Sequence, residues 1–324
     1  MRIRFFTATA VVAAIAVSGC SSASSGSSPS GANSSASGGA AAASEAFPVT
    51  VTAANGKVTL KSEPTRIVSL SPTATEDLYA VGAGSQVAAV DETSNYPAGV
   101  PKTSMSGINP NIEAIARYNP GLVIDAGNYN GLVAGLRKLG VPVLIEPTAT
   151  SIDDAYAQID QIGRATGHAT QAKRVTDRMK HQIAADVAKA GADHKDLSYY
   201  WEVSANPYYS ATSKTLFGQI AGLFGLKDIA DAATGASNGG YPELSEEYIV
   251  AAKPRLIFLS DNAPGDGGQT PAVVAKRPGW SAVPAVKDHE VIPLNDDIAS
   301  RWGPRLPQLV AAIAQAVENA PTSR

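Results

Sequence analysis

Ile112-Glu113-Ala114-Ile115-Ala116-Arg117-Tyr118-Asn119-Pro120-Gly121-Leu122-Val123-Ile124 returns 134 residues later, without a gap, as Glu246-Glu247-Tyr248-Ile249-Val250-Ala251-Ala252-Lys253-Pro254-Arg255-Leu256-Ile257-Phe258. Each copy reads as a short helix, a proline that ends it and an apolar strand. Glu113 aligns with Glu247, Ile115 with Ile249 and Pro120 with Pro254. A unit that occurs twice predicts two similar lobes, each with helices alternating with short parallel strands.

Outward from the first copy, Arg66 to Leu70 reads as a strand, and Ser71 to Glu76 as a loop entering a helix that runs to Ala80 or Val81. Gly82 and Gly84 stop that helix, and Val87 to Val90 is the next strand. Phe47 to Leu60 alternates apolar and polar residues around Asn55-Gly56, a hairpin signal. Between the two copies, His168 to Ala190 carries Ala172, Val175, Met179, Ile183 and Val187 at intervals of three or four, one face of a helix. Such a helix reaches about 35 Å at a rise of about 1.5 Å per residue, roughly the width of a small lobe.

The predicted organisation is therefore α/β: two similar Rossmann-like lobes joined by one long backbone helix, with a ligand cleft between the lobes. The N-terminal lobe spans 46–165, the connecting helix 166–192 and the C-terminal lobe 193–324. Ligands of α/β lobes sit at the carboxyl ends of strands or at domain junctions, which makes the cleft the expected site.

Residues 1–19 read as a secretory signal peptide. Arg2 and Arg4 form a basic head, Phe5 to Val17 an apolar run too short to span a bilayer, and Val17-Ser18-Gly19 supplies small residues before Cys20. Cys20 is the only cysteine, so an internal disulfide is excluded. Residues 21–45 are almost wholly Ser, Ala and Gly, the composition of a flexible tether.

The chain is 44% hydrophobic overall, and its net charge of -3 becomes -5 once Arg2 and Arg4 are removed. The basic stripe of a nucleic-acid binder is missing. A metal-ion receptor needs three or four convergent His and carboxylate ligands. His168, His181 and His194 recur every 13 residues, which turns them about 220° apart on a helix, and His289 stands alone in a strand-like segment. Gly235-Ala236-Ser237-Asn238-Gly239 has the Gly-x-Ser-x-Gly spacing but follows a predicted helix rather than a strand, so it reads as a loop and not a nucleophile elbow. No His-Glu-x-x-His or Walker loop argues for an enzyme either, and an enzyme acting in the cleft is the weaker alternative to a binding protein. We expect no catalytic residue, metal site or cofactor.

Several segments resemble periplasmic-binding proteins of the helical-backbone class, which serve ABC importers of cobalamin, haem and ferric siderophores. They are Pro64 to Pro72, Asn119-Pro120, Gly140-Val141-Pro142-Val143, the joining helix, Arg277-Pro278-Gly279-Trp280 and Arg301-Trp302-Gly303-Pro304-Arg305-Leu306. Leu70 to Glu76, Asn206-Pro207-Tyr208-Tyr209-Ser210 and Tyr241-Pro242 with Ser245-Glu246-Glu247 are most similar to the cobalamin-binding members. Val17-Ser18-Gly19-Cys20 resembles a lipobox, which implies a Cys20 lipid anchor on the outer face of the cytoplasmic membrane.

By the same resemblance, a glutamate on each lobe docks onto the permease subunits; Glu113 and Glu247 occupy those positions. It implies ligand contacts at Met105, Tyr209, Tyr241, Asp297 and Arg301, with Tyr96, Tyr129 and Tyr208 as neighbouring rings. Family positions matching Met105 and Ala126 are aromatic, and here they are not. The expected partners are a small-molecule ligand (a corrinoid or a ferric chelate), the importer permease and the membrane, with the protein a monomer. A ferric siderophore or haem is the alternative ligand. An anionic chelate calls for several converging arginines, and Arg301 and Arg305 are the main candidates.

Overall fold

A computed structural model of the chain describes residues 46–233, 237–263 and 268–321. The signal peptide, Cys20 and the tether read from the sequence lie outside the described residues. Among the described residues, no helix is long and apolar enough to cross a membrane.

The described chain opens with an antiparallel hairpin, β1 (Val49–Ala53) and β2 (Gly56–Leu60). Ala53 faces Gly56 across the ladder, so the turn is Ala54-Asn55, one residue earlier than the Asn-Gly pair suggests. Gly56 starts the second strand at φ +98°, a conformation that favours glycine. The Asn55 side chain leaves the hairpin to bond Val143 O and Ile145 N, which ties the turn to a sheet edge.

The first lobe follows: β3 (Ile67–Ser69), α1 (Pro72–Ala80), β4 (Val87–Val90), α2 (Ile112–Ala116), β5 (Leu122–Asp125), α3 (Leu132–Lys138) and β6 (Val143–Ile145). Its strands form one parallel sheet in the order β4-β3-β5-β6. Helices α4 (Ile152–Ala165) and α5 (Ala169–Ala190) then carry the chain to the second lobe. Ser151 starts α4 with a capping box to Asp154.

In the second lobe, β7 (Ser198–Glu202), the small hairpin β8 (Ser204–Ala205) and β9 (Tyr208–Tyr209), α6 (Leu216–Gly222) and β10 (Lys227–Asp228) come first. After them run β11 (Ser237–Asn238), β12 (Tyr241–Pro242), α7 (Glu246–Ala252), β13 (Leu256–Leu259), α8 (Pro271–Val274) and α9 (Pro284–Lys287). The chain ends with β14 (Val291–Pro293), α10 (Asp296–Ala299) and α11 (Leu306–Asn319). The parallel sheet here runs β10-β7-β13-β14. In both sheets the first strand of the lobe is flanked by its second and third, with the fourth outermost, so the two lobes share one topology.

The repeat survives in backbone detail. Asn119 and Lys253 occupy matching positions, just before Pro120 and Pro254, and both adopt left-handed φ, 48° and 52°. That residue turns the chain out of the helix, and the proline blocks any return to it. His289, read as part of a strand, instead sits in the turn after α9 at φ 63°.

Strand side chains alternate between two cores. Leu256 and Phe258 of β13 face a large central core, while Ile257 and Leu259 face an outer one; Leu122 and Ile124 of β5 face the central core and Val123 a separate outer one. Both faces are buried, which is why these strands read as unbroken apolar runs. Ala172, Val175, Met179 and Ile183 of α5 belong to the central core together with Val310, Ile313 and Val317 of α11. The long helix is thus packed into the interior that both sheets share.

Candidate functional site

The carboxyl ends of the two sheets open onto one cleft. Leu70 and Ser71 after β3, Asp91 after β4 and Asp125 at the end of β5 line a cavity of about 610 Å³. Val203 after β7 and Ser260 after β13 line a second, of about 370 Å³. Asp296, Ser300 and Trp302 line both and join them. This is where open α/β sheets bind ligands, because the loops that leave the strands there are free to vary.

A buried ion cluster holds the junction. Glu76, on α1, is 2% exposed and accepts from Arg301 Nη1 at 2.9 Å and Arg305 Nε at 2.7 Å, with Arg305 Nη2 also on its carboxylate. Arg301 further donates to Asn95 Oδ1 at 2.8 Å, Asp297 Oδ1 at 2.6 Å and Thr93 O at 3.3 Å. Both guanidinium groups are committed to Glu76, more than 200 residues away in sequence, and Arg301 also to Asp297 four residues before it. Read from the sequence as a ligand contact, Arg301 lines the cleft but spends both terminal nitrogens on Glu76, Asn95, Asp297 and the loop at Thr93.

The cleft that remains is acidic. Asp91, Glu92, Asp125, Asp296 and Asp297 all line the larger cavity. Burial pushes the Asp125 carboxyl up to about 7, with the charge of Asp91 adding and the Ala126 and Gly127 N–H groups opposing. Asp296 is raised by burial and then by Asp297, against Arg301. Beneath the junction, burial pushes Glu146 up to about 8 and Asp77 well above the carboxylate range, with Glu76 and Glu146 adding for Asp77.

The walls are aromatic. Trp302 spans the two cavities, its Nε1 donating to Gln158 Oε1 at 2.7 Å so that α4 fixes the ring. Phe217 and Tyr241 line the smaller cavity, Phe217 stacked on the buried Trp201 at 5.0 Å. Tyr129, 42% exposed, lines the larger one. Its ring lies against Gly127, where a Cβ would come within 2.5 Å of it.

Of the residues singled out in the sequence, Tyr129, Tyr241, Asp297 and Arg301 come together along this cleft. Tyr96 lies beside it, 43% exposed, with the Arg305 guanidinium 4.2 Å from its ring centroid. Tyr209 pairs with Ser204 in the β8–β9 hairpin and bridges to Glu243, outside the lining of either cavity. Met105 packs against the outer core of the first lobe and lines a separate groove with Ala114, Arg117 and Tyr118. Tyr208 is held by Arg277 and Trp280. Glu113 and Glu247 are exposed at the second position of α2 and α7, behind the caps Asn111 and Ser245. They hold equivalent places on the two lobes.

Sequence reasoning missed Phe217, Asp91, Asp125 and Asp296 as cleft residues and left Trp302 without a role. For Asp91 and Asp125 the only signal was position at the end of a predicted strand, which marks many residues equally; Phe217 and Asp296 lie in the first turns of α6 and α10 and carried none. Among the described residues, no group of three or more His, Cys, Asp or Glu side chains could hold a metal ion.

Comparison with known proteins agrees with this architecture. Residues 67–298 match the periplasmic binding protein family model. An ABC transporter substrate-binding lipoprotein of Bacillus subtilis is 33% identical over 283 residues, covering 85% of this chain and 87% of that protein. A cobalamin-binding protein of Halobacterium salinarum is 30% identical over 280 residues, covering 85% of this chain and 75% of its own. A periplasmic heme-binding protein of Roseiflexus superposes with a TM-score of 0.67 at 26% identity, over 79% of this chain and 98% of that one. With two lobes of one topology around a shared cleft, this chain belongs to the periplasmic binding protein family, as a substrate-binding protein of an ABC transporter.

Proposed function

We propose that this chain captures a cobalamin-type corrinoid in the inter-lobe cleft and delivers it to the permease of an ABC importer. One observation carries the choice of ligand. Arg301 and Arg305 are both bound to Glu76, and the cleft residues around them are carboxylates. An anionic ferric chelate or the propionates of haem would meet repulsion there, since recognition of such groups rests on available arginine forks. A corrinoid is a broad ring fringed with neutral amides, whose N–H groups suit carboxylate acceptors and whose faces suit aromatic walls. In this reading Tyr129, Tyr241 and Trp302 lie against the ring and Asp297 meets its periphery. The cobalamin-binding protein of Halobacterium salinarum supports the same choice.

In the same reading, Glu113 and Glu247 dock the two lobes onto the permease, and lipidated Cys20 with the tether of residues 21–45 holds a monomer at the outer face of the membrane. Calorimetric titration of the mature protein with cyanocobalamin, ferric hydroxamate siderophores and haemin tests the ligand. The expected result is stoichiometric binding of cyanocobalamin. Binding of a siderophore or haemin with no response to cyanocobalamin would overturn the corrinoid reading.

A further inference from the structure

We propose that Asp125 is a ligand-recognition acceptor on the cleft floor, taking an N–H donor of the bound molecule, amide or ammonium, on its Oδ2. The inference deepens the corrinoid reading and rests on it for the identity of the donor.

Asp125 ends β5 at the carboxyl edge of the first sheet, lines the larger cavity and is 1% exposed. Its Oδ1 accepts from Ala126 N at 2.6 Å, whereas its Oδ2 is buried with no hydrogen-bond partner. Buried carboxylate oxygens are almost always paired, because an unmade bond costs the full desolvation of the group. Asp91, on the same floor, shows the satisfied case. Its two oxygens accept from Thr93 N at 3.0 Å and from the hydroxyls of Thr93 and Ser94. Two neighbouring carboxylates therefore differ in one respect: Asp91 is occupied by its own loop, and Asp125 keeps a free acceptor.

The surroundings select the kind of group that can fill it. Facing the floor are Asp91 and Glu92 from the loop after β4, and Asp296, Asp297 and Arg301 from α10 and the turn beyond it. Arg301 is spent on Glu76, Asp297, Asn95 and Thr93. The field that reaches Asp125 is negative, and an incoming carboxylate or phosphate would add to it. An N–H donor relieves it, pairs the idle oxygen and so favours the ionised carboxylate that burial alone disfavours. Tyr129, lying over Gly127 two residues on, provides a ring beside that donor. The prediction is a ligand that carries its amide or ammonium next to an apolar face.

The substitution Asp125→Asn tests this with little change of shape. Ala126 N–H retains the amide oxygen, so the amide NH2 takes the Oδ2 position and meets a donor with a donor. The full chain and its variant are titrated with cyanocobalamin, with ferrioxamine B (amides and a terminal ammonium) and with haemin (a carboxylate periphery). We expect the amide-bearing ligand that binds the parent protein to lose at least about tenfold in affinity in Asp125→Asn, with no loss of thermal stability. Equal affinity in the two proteins overturns the proposal, and so does haemin as the sole ligand or no ligand at all. Cyanocobalamin bound equally by both proteins removes Asp125 alone. Ferrioxamine bound in its place, with dependence on Asp125, removes the corrinoid reading alone. A ligand-side test needs no folded variant: monocarboxylic acid analogues of cyanocobalamin, with one peripheral amide replaced by carboxylate, are titrated into the parent protein. At least one analogue is expected to bind more weakly than cyanocobalamin, and a series that all bind equally overturns the proposal.

Discussion

Replacing Glu76 by glutamine should destabilise the folded protein far more than the loss of one surface charge would. Glu76 is 2% exposed, and its carboxylate is shared by Arg301 and Arg305, themselves largely buried. Glutamine keeps one acceptor but turns an NH2 toward a guanidinium, leaves Arg305 without its carboxylate partner and leaves Arg301 with Asp297 alone. Removing one partner of a buried ion pair costs roughly 3–5 kcal/mol, because the other charge stays desolvated. For a chain of this size that amounts to a fall of about 6–10 °C in melting temperature. The triple change Glu76→Leu, Arg301→Met, Arg305→Met removes the three buried charges at once and leaves only the partly exposed Asp297, so it should be more stable than Glu76→Gln alone. Chemical denaturation of both variants supplies the comparison. A Glu76→Gln protein within about 1 kcal/mol of the parent, or a triple variant less stable than the single one, would refute the argument that this cluster is a buried, mutually dependent unit.

The other predictions concern ligand, partner and pH. Trp302→Ala removes the wall common to both halves of the cleft and should weaken ligand binding by roughly tenfold or more in calorimetric titration; an unchanged affinity would place the ligand elsewhere. Glu113→Ala with Glu247→Ala touches neither cavity, so ligand affinity should hold while binding to the reconstituted permease falls; permease binding at the parental level would remove these residues from the docking face. Glu146, Asp125 and Asp228 are all raised by burial, to about 8, 7 and 7. The fold favours their neutral forms, so their contribution is fully present below about pH 4 and is lost as pH rises through about 7–8. Thermal melts should therefore show lower stability at about pH 8.5 than at about pH 5.5, with a shallower fall in Glu146→Gln; a rise over that range would contradict the assignment.

Much of the architecture was legible because it is written locally. The helix-proline-strand segment at Ile112 to Ile124 and its copy at Glu246 to Phe258 place α2, β5, α7 and β13. The apolar spacing of His168 to Ala190 anticipates α5 within one residue. The hairpin turn is displaced because register depends on strand pairing across the ladder, which local composition constrains only loosely. The site was less legible because its parts are far apart in the chain. Glu76 lies in the quoted segment Leu70 to Glu76, yet its role depends on Arg301 and Arg305, 225 and 229 residues later. Arg301 looks like a ligand group in sequence for the same reason: an arginine in a loop declares its charge and not its partner. Asp125 differs from Asp91 only through the hydroxyls of Thr93 and Ser94, a distinction that exists only after folding.

Hydrogen exchange of the full chain with and without cyanocobalamin bears most directly on where binding occurs. Bound cyanocobalamin is expected to slow exchange in residues 91–95, 125–129 and 296–302 together, from both sides of the cleft. Protection confined to one lobe's outer surface, or bound ligand with no protection in these three segments, would contradict binding in the cleft.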